Sequence, residues 1–236
     1  MIREAIVLAG GLGTRLQSIV RDIPKAMAVI NGRPFLEYLL DYLGSCGIVH
    51  VVLSVGYKSE FIKDHFQDHY KSISLTYVME EIPLGTGGGV RRAFDQIDGD
   101  DAFVLNGDSL FLVDLQSMYR FHKNSGTLIT IALNFRDNTE RYGSVELDHL
   151  HRIRTFREKG AHSGAGYING GVYILNKNFL TSEIFPERFS LEKDCFEEYF
   201  RTVEMLGFPS EAYFLDIGIP SDYEKAKNEF KRLEYR

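Results

Sequence analysis

The chain has 236 residues, 44% hydrophobic and 25% charged, and carries a net charge of −6 at pH 7. That length suits an α/β domain with a sizeable core, and the acidic balance excludes a general nucleic-acid binder, which needs basic excess against phosphate. No apolar run approaches the ~20 residues that span a bilayer. A strand starts almost at once with no cleavable leader, and Cys46 and Cys195 stand far apart as expected free thiols. A cytoplasmic protein without nucleic-acid or membrane partners is expected, its oligomeric state left open, a homo-oligomer included.

Residues 4–9 read as a buried strand running into Gly10-Gly11-Leu12-Gly13-Thr14-Arg15-Leu16, with Pro24-Lys25 further on. A glycine turn after a strand lets backbone N–H groups approach a polyphosphate, and Arg15 and Lys25 add fixed positive charge. The run is not a Walker A loop, which needs Gly-Lys-Ser/Thr after the glycines. Nor is it a good dinucleotide fingerprint, since Leu16 stands where a third glycine belongs. Residues 31–34 make a turn, with Pro34 expected at the first helical position. Phe35, Leu36, Leu39, Leu40 and Leu43 then mark one helix face, ending near Gly44 or Gly47. Further on, strands are expected over 49–55, 75–79, 102–105 and 128–133, and helices over 59–66, 88–94 and 115–122. From about Arg141, short glycine-rich strands (142–147, 152–157, 167–175) replace the strict alternation, and a last helix runs from Ser221 to about Leu233. The expected fold is a Rossmann-like α/β domain: a mostly parallel mixed sheet flanked by helices in three layers. It is read as one domain over 1–236, with an N-terminal half of about 1–135 and a C-terminal half of about 136–236.

The second informative run is Glu80-Glu81-Ile82-Pro83-Leu84-Gly85-Thr86-Gly87-Gly88-Gly89, between a predicted strand and a helix. Its amides are placed where a ligand meets the carboxyl end of the sheet. Glycines are costly to order, so their number favours close approach by a ligand over a merely flexible loop. Glu80 can accept from the N1–H and N2–H edge of guanine, as carboxylates accept from base amino groups. The third run, Asn106-Gly107-Asp108, puts an acid at a strand end; Mg²⁺ coordination is favoured there over capping of the following helix. His149 and His151 have no third ligand beside them and read as an exposed hairpin turn. Cys195 reads as a buried helix thiol rather than a nucleophile.

Together these runs resemble the signature of the sugar nucleotidyltransferases, which join a nucleoside triphosphate to a sugar 1-phosphate. The resemblance covers residues 6–223. It implies a nucleotide site of Leu8, Ala9, Gly10, Gly11, Gly13, Thr14, Arg15, Lys25, Asn106 and Gly107, with Glu80, Pro83, Leu84, Gly85, Thr86 and Gly87 holding the base. Tyr142, Gly143, Glu158, Lys159, Asn169 and Gly170 would meet the sugar phosphate. Arg15 would hold the departing pyrophosphate, Lys25 the α-phosphate and Lys159 the attacking phosphate. Asp108 and Asp216, the latter in Asp-Ile-Gly before the last helix, would ligate Mg²⁺. Relatives often carry proline after the lysines, where this chain has Ala26 and Gly160. Within the family the look is closest to the D-glycero-D-manno-heptose 1-phosphate guanylyltransferases. Uridylyltransferases and mannose 1-phosphate guanylyltransferases share much of the grammar, and some relatives bind nucleotide sugars without turnover as regulatory partners.

Overall fold

Hydrophobic runs long enough to be buried on both faces build the centre of the sheet. In the computed structural model, which describes residues 2–11, 23–157 and 164–235, the chain opens with β1 (Glu4–Leu8), β2 (Val29–Ile30), β3 (Arg33–Pro34), α1 (Phe35–Ser45), β4 (His50–Val55) and α2 (Ser59–Phe66). It continues with β5 (His69–Tyr70), β6 (Ile73–Met79), α3 (Gly85–Ala93), β7 (Asp101–Asn106), β8 (Ser109–Phe111), α4 (Leu115–Ser125) and β9 (Ile129–Arg136). The last third holds β10 (Ser144–Leu147), β11 (Ile153–Arg157), β12 (Gly166–Asn176), α5 (Lys177–Leu180), a π-helical turn (Leu191–Glu197), β13 (Met205–Pro209), β14 (Phe214–Asp216) and α6 (Pro220–Glu229).

The principal sheet is mixed, in the order β11-β10-β12-β7-β1-β4-β6-β5, with β9 beside β12 and β13 beside β9. Its centre, β7-β1-β4-β6, is parallel; β12 joins antiparallel to β7 and β9. Side chains alternate between two cores. Ala5, Val7, Val51, Leu53, Phe103 and Leu105 face one, covered by α1, α2, α4 and α6. Ile6, Val52, Ala102 and Val104 face the other, covered by α3, α5 and the π-helical turn. This is the three-layer arrangement that the alternating pattern implies.

Differences from the expected elements have local causes. Pro34 does not open α1: it pairs with Val29 across the β2–β3 hairpin at φ −56° and ψ 143°, so helical geometry begins one residue later. The hairpin turn is Asn31-Gly32, both at positive φ, which a right-twisted two-residue turn requires. α3 starts at Gly85, earlier than propensity suggests, because tertiary contacts described below fix its first turn. The last α-helix has Pro220 in its first turn and tightens into a 3₁₀ turn over Phe230–Arg232. β13 went unread because Gly207 and Pro209 lower its strand signal; Gly207 lets Leu133 and Leu147 pack across it. The helix after Asp108 is capped by Asp114, which accepts from the Gln116 and Ser117 amides, and not by Asp108.

Candidate active site

The parallel strands deliver their carboxyl ends to one edge. The chain runs from β1 outward to β4 and β6 and then returns to place β7 on the other side of β1, so the strand order reverses between β1 and β7. Ligand crevices in open α/β sheets form at such a point. A cleft of about 700 Å³ lies there, within the size range of small-molecule sites. Leu8, Ala9, Gly10 and Gly11 line it from β1, and Asn106, Gly107 and Asp108 from β7. Gly107 is required by close approach: an added Cβ would lie 2.6 Å from the Leu8 carbonyl oxygen, which its own N–H binds at 2.9 Å. Asn106 keeps a buried Oδ1 with no hydrogen-bond partner among the described residues. Gly13, Thr14 and Arg15 lie outside the described residues.

The glycine strip after β6 meets both the cleft and the protein. Glu80, Pro83, Gly85 and Thr86 line the cleft, and close protein packing accounts for the glycines at 87–89. A Cβ on Gly87 would fall 2.2 Å from the Phe189 ring, one on Gly88 2.6 Å from the Glu187 carbonyl oxygen, and one on Gly89 2.7 Å from Glu80 Oε1. The N–H groups of Gly87 and Gly88 both donate to the Phe189 carbonyl at 2.9 and 3.3 Å, so the first turn of α3 is capped by the chain itself. Leu84 and Gly87 thus turn toward protein; the Leu84 carbonyl accepts from Phe189 N–H at 3.0 Å. The Glu80 carboxylate also has protein partners, accepting from Ser54 Oγ at 2.8 Å and from Leu84 N–H at 2.9 Å.

Across the cleft the two acids widely separated in sequence meet. Antiparallel pairing of β8 with β14 sets Ser109 opposite Asp216, and the Ile217 N–H donates to the Asp108 carbonyl at 3.0 Å. Between the two carboxylates sits Lys25 Nζ, 2.6 Å from Asp108 Oδ2 and 3.4 Å from Asp216 Oδ1. Lys25 is held by a 3₁₀ turn (Lys25–Met27) whose Ala26 and Met27 are buried. Burial would push the Lys25 ammonium pKa down, but the Asp108 and Asp216 carboxylates outweigh it and raise the pKa above the usual lysine value. Asp216 Oδ1 is further fixed by Gly218 N–H at 2.6 Å. Lys25, Asp108, Asp216 and Gly218 all line the cleft. The donor set is two hard carboxylates, Asp108 and Asp216. That fits an ion such as Mg²⁺, which takes one or two carboxylates and completes its shell with substrate phosphates and water.

Of the residues expected at the sugar phosphate, Tyr142 packs edge-on against Phe214, two residues before Asp216, and the Gly143 carbonyl accepts from Asn169 N–H at 3.1 Å. The Asn169 carboxamide is internally engaged, accepting from Gly171 N–H and donating to Tyr173 Oη, both at 2.9 Å. Gly170 is packed against Phe111, where a Cβ would come within 2.4 Å of the ring. Glu158 and Lys159 lie outside the described residues. Asp148 folds the His149–His151 stretch into an exposed turn, accepting from Leu150 and Arg152 N–H. Cys195 is fully buried in the π-helical turn, and burial pushes its thiol pKa far up. Both cysteines are free. Sequence reasoning missed Gly56, Tyr57 and Glu81, which also line the cleft. Gly56 and Tyr57 follow β4, a strand parallel to β1, so the rule for carboxyl ends would have found them.

The sheet order and the placement of the cleft define a doubly wound α/β protein with a cleft at the switch point. The sequence profile described as nucleotidyl transferase matches residues 4–232, and the chain belongs to that family. A D-glycero-alpha-D-manno-heptose 1-phosphate guanylyltransferase of Aneurinibacillus thermoaerophilus is 47% identical over 228 residues, covering 97% of this chain and 98% of the relative. One of the same description from Campylobacter jejuni is 40% identical, covering 93% and 96%. Among solved structures, HddC from Yersinia pseudotuberculosis superposes with a TM-score of 0.87 at 37% identity, covering 97% of this chain and 100% of that one. A second HddC structure, complexed with GMP-PN, gives a TM-score of 0.86 at the same identity and coverage. No helix among the described residues is long and apolar enough to cross a membrane.

Proposed function

We propose that this protein is a cytoplasmic, Mg²⁺-dependent guanylyltransferase. It transfers GMP from GTP to D-glycero-α-D-manno-heptose 1-phosphate, releasing pyrophosphate and forming GDP-heptose for surface polysaccharide. The observation that carries the reading is the convergence of Lys25, Asp108 and Asp216 in the cleft at the strand switch point. The near full-length identity to two heptose 1-phosphate guanylyltransferases supports the choice of base and sugar.

The reaction needs no side-chain nucleophile. A phosphate monoester has a second pKa of about 6, so a sugar 1-phosphate is largely dianionic at neutral pH. Its oxygen attacks the α-phosphorus of GTP in line; the new P–O bond forms as the bond to pyrophosphate breaks. The obstacle is mutual repulsion of two polyanions, so catalysis is positioning and charge neutralisation. Lys25, charged and anchored at the cleft wall, contacts the α-phosphate; Arg15 holds the leaving pyrophosphate and Lys159 the incoming phosphate. Asp108 and Asp216 would hold Mg²⁺, which would supply positive charge against the phosphates. Gly85, Thr86 and Glu80 hold the guanine, and Tyr142, Gly143 and Asn169 the heptose. Label tracing tests the reaction. With α-³²P-GTP the label should move into a sugar nucleotide, and with γ-³²P-GTP into pyrophosphate. Label appearing as inorganic phosphate in place of pyrophosphate would refute the proposal.

A further inference from the structure

The strip that lines the cleft after β6 is fastened by a segment of the C-terminal half. Thr86 Oγ1 donates to Glu192 Oε2 at 2.7 Å and accepts from Leu191 N–H at 2.9 Å. Ser190 Oγ donates to the same Glu192 oxygen at 2.9 Å. The fastening segment is itself rigid. The Phe189 ring stacks on Phe185 at 4.6 Å and 9°, and the π-helical turn that carries Glu192 buries Leu191, Cys195 and Phe196. The backbone bonds between Phe189 and residues 84, 87 and 88 already dock the two segments. A partly buried carboxylate is therefore not needed for docking; what it adds is a fixed orientation for the Thr86 hydroxyl, held between one donor and one charged acceptor.

We infer that Glu192 is a positioning residue for the nucleotide, acting through Thr86 to hold the Gly85–Thr86 wall of the cleft in its binding-competent orientation. The inference rests on the reading of this strip as the guanine site. Loss of the carboxylate frees the Thr86 rotamer and weakens nucleotide binding, while Lys25, Asp108 and Asp216 on the opposite wall keep their geometry.

The test combines steady-state kinetics with direct calorimetric titration of GTP, using the full-length chain. Glu192→Ala should raise the GTP Kd and KM about tenfold, the size of one charge-assisted hydrogen bond, with kcat within about twofold and the sugar-phosphate KM unchanged. Thr86→Val, which also gives up the bond from Leu191 N–H, should raise the GTP Kd at least as much. The double variant should be no worse than Thr86→Val alone, because Glu192 acts on the nucleotide only through Thr86. Glu192→Gln, which keeps a neutral acceptor oxygen, should restore most of the lost affinity. An unchanged GTP Kd in Glu192→Ala would overturn the inference, as would additive losses in the double variant or failure of Glu192→Gln to rescue. Failure of the guanylyltransferase reading shows separately, as wild-type protein that binds GTP but releases no pyrophosphate with any sugar phosphate; the Kd comparison still decides the role of Glu192.

Discussion

Substituting Gly87 with alanine separates two reasons for a glycine strip beside a cleft. A Cβ there would stand 2.2 Å from Phe189 Cε2, 2.3 Å from Cδ2 and 2.7 Å from Cζ. The ring has little room to retreat, because it stacks on Phe185 and the Arg91 guanidinium lies 5.3 Å from its centroid. Overpacking of this kind costs about 1–3 kcal/mol. In a chain of this size each kcal/mol moves Tm by roughly 2–4 °C, so Gly87→Ala should melt about 2–12 °C below wild type. Phe189→Leu removes the ring carbons that crowd the new methyl. The double variant should therefore recover about 1 kcal/mol or more relative to additivity. Thermal unfolding followed by circular dichroism, with denaturant midpoints for the cycle, reads both effects. A Gly87→Ala variant that melts with wild type but loses nucleotide affinity would refute the packing argument and return the glycine to the ligand.

Other outcomes follow from the charged groups. Lys25→Ala should lower kcat at least 100-fold while changing the GTP KM only about fivefold, since its charge counts most in the transition state; equal activity would remove it from the mechanism. The raised Lys25 pKa keeps the ammonium charged below the ordinary lysine range, and its stabilising contribution is lost only as pH rises through the folded value. Rate profiles between pH 6 and 9 should consequently show no step belonging to Lys25, which Lys25→Arg would test by leaving the profile shape unchanged. Asp108→Asn should abolish Mg²⁺-dependent turnover while leaving the fold intact, whereas a normal Mg²⁺ titration would move the metal elsewhere. Asp101 sits with His122, Lys123 and Asn176, contacts that hold its carboxyl well below the usual range. Its contribution is present above the unfolded aspartate pKa of about 4 and is lost as pH falls. Tm should therefore fall between pH 5 and pH 3 in wild type, and less steeply in Asp101→Asn.

The parallel centre of the sheet was legible because its strands are hydrophobic runs followed by turn residues, a pattern that reports burial on both faces. The acid pair was legible only in part. Asp108 stands out locally in Asn-Gly-Asp, but its meeting with Asp216 depends on the β8–β14 pairing across more than 100 residues, which no local spacing encodes. The glycines at 87–89 show the limit of a local reading. A run of glycines shows that something approaches the backbone closely, but not whether that is a ligand or, as here, Phe189 and Glu187. The segment responsible includes a π-helical turn, whose wider spacing departs from the 3.6-residue period by which helices are recognised.

Pyrophosphate release in the presence of Mg²⁺, crossing GTP, UTP, CTP, dTTP and ATP against heptose, mannose, glucose and N-acetylglucosamine 1-phosphates, decides the assignment. Release is expected with GTP and D-glycero-α-D-manno-heptose 1-phosphate, and far slower release with every other pair. Faster release with another nucleotide or sugar phosphate would contradict the assigned substrates. Silence across the grid, with tight binding of a nucleotide sugar, would contradict the assignment as an enzyme.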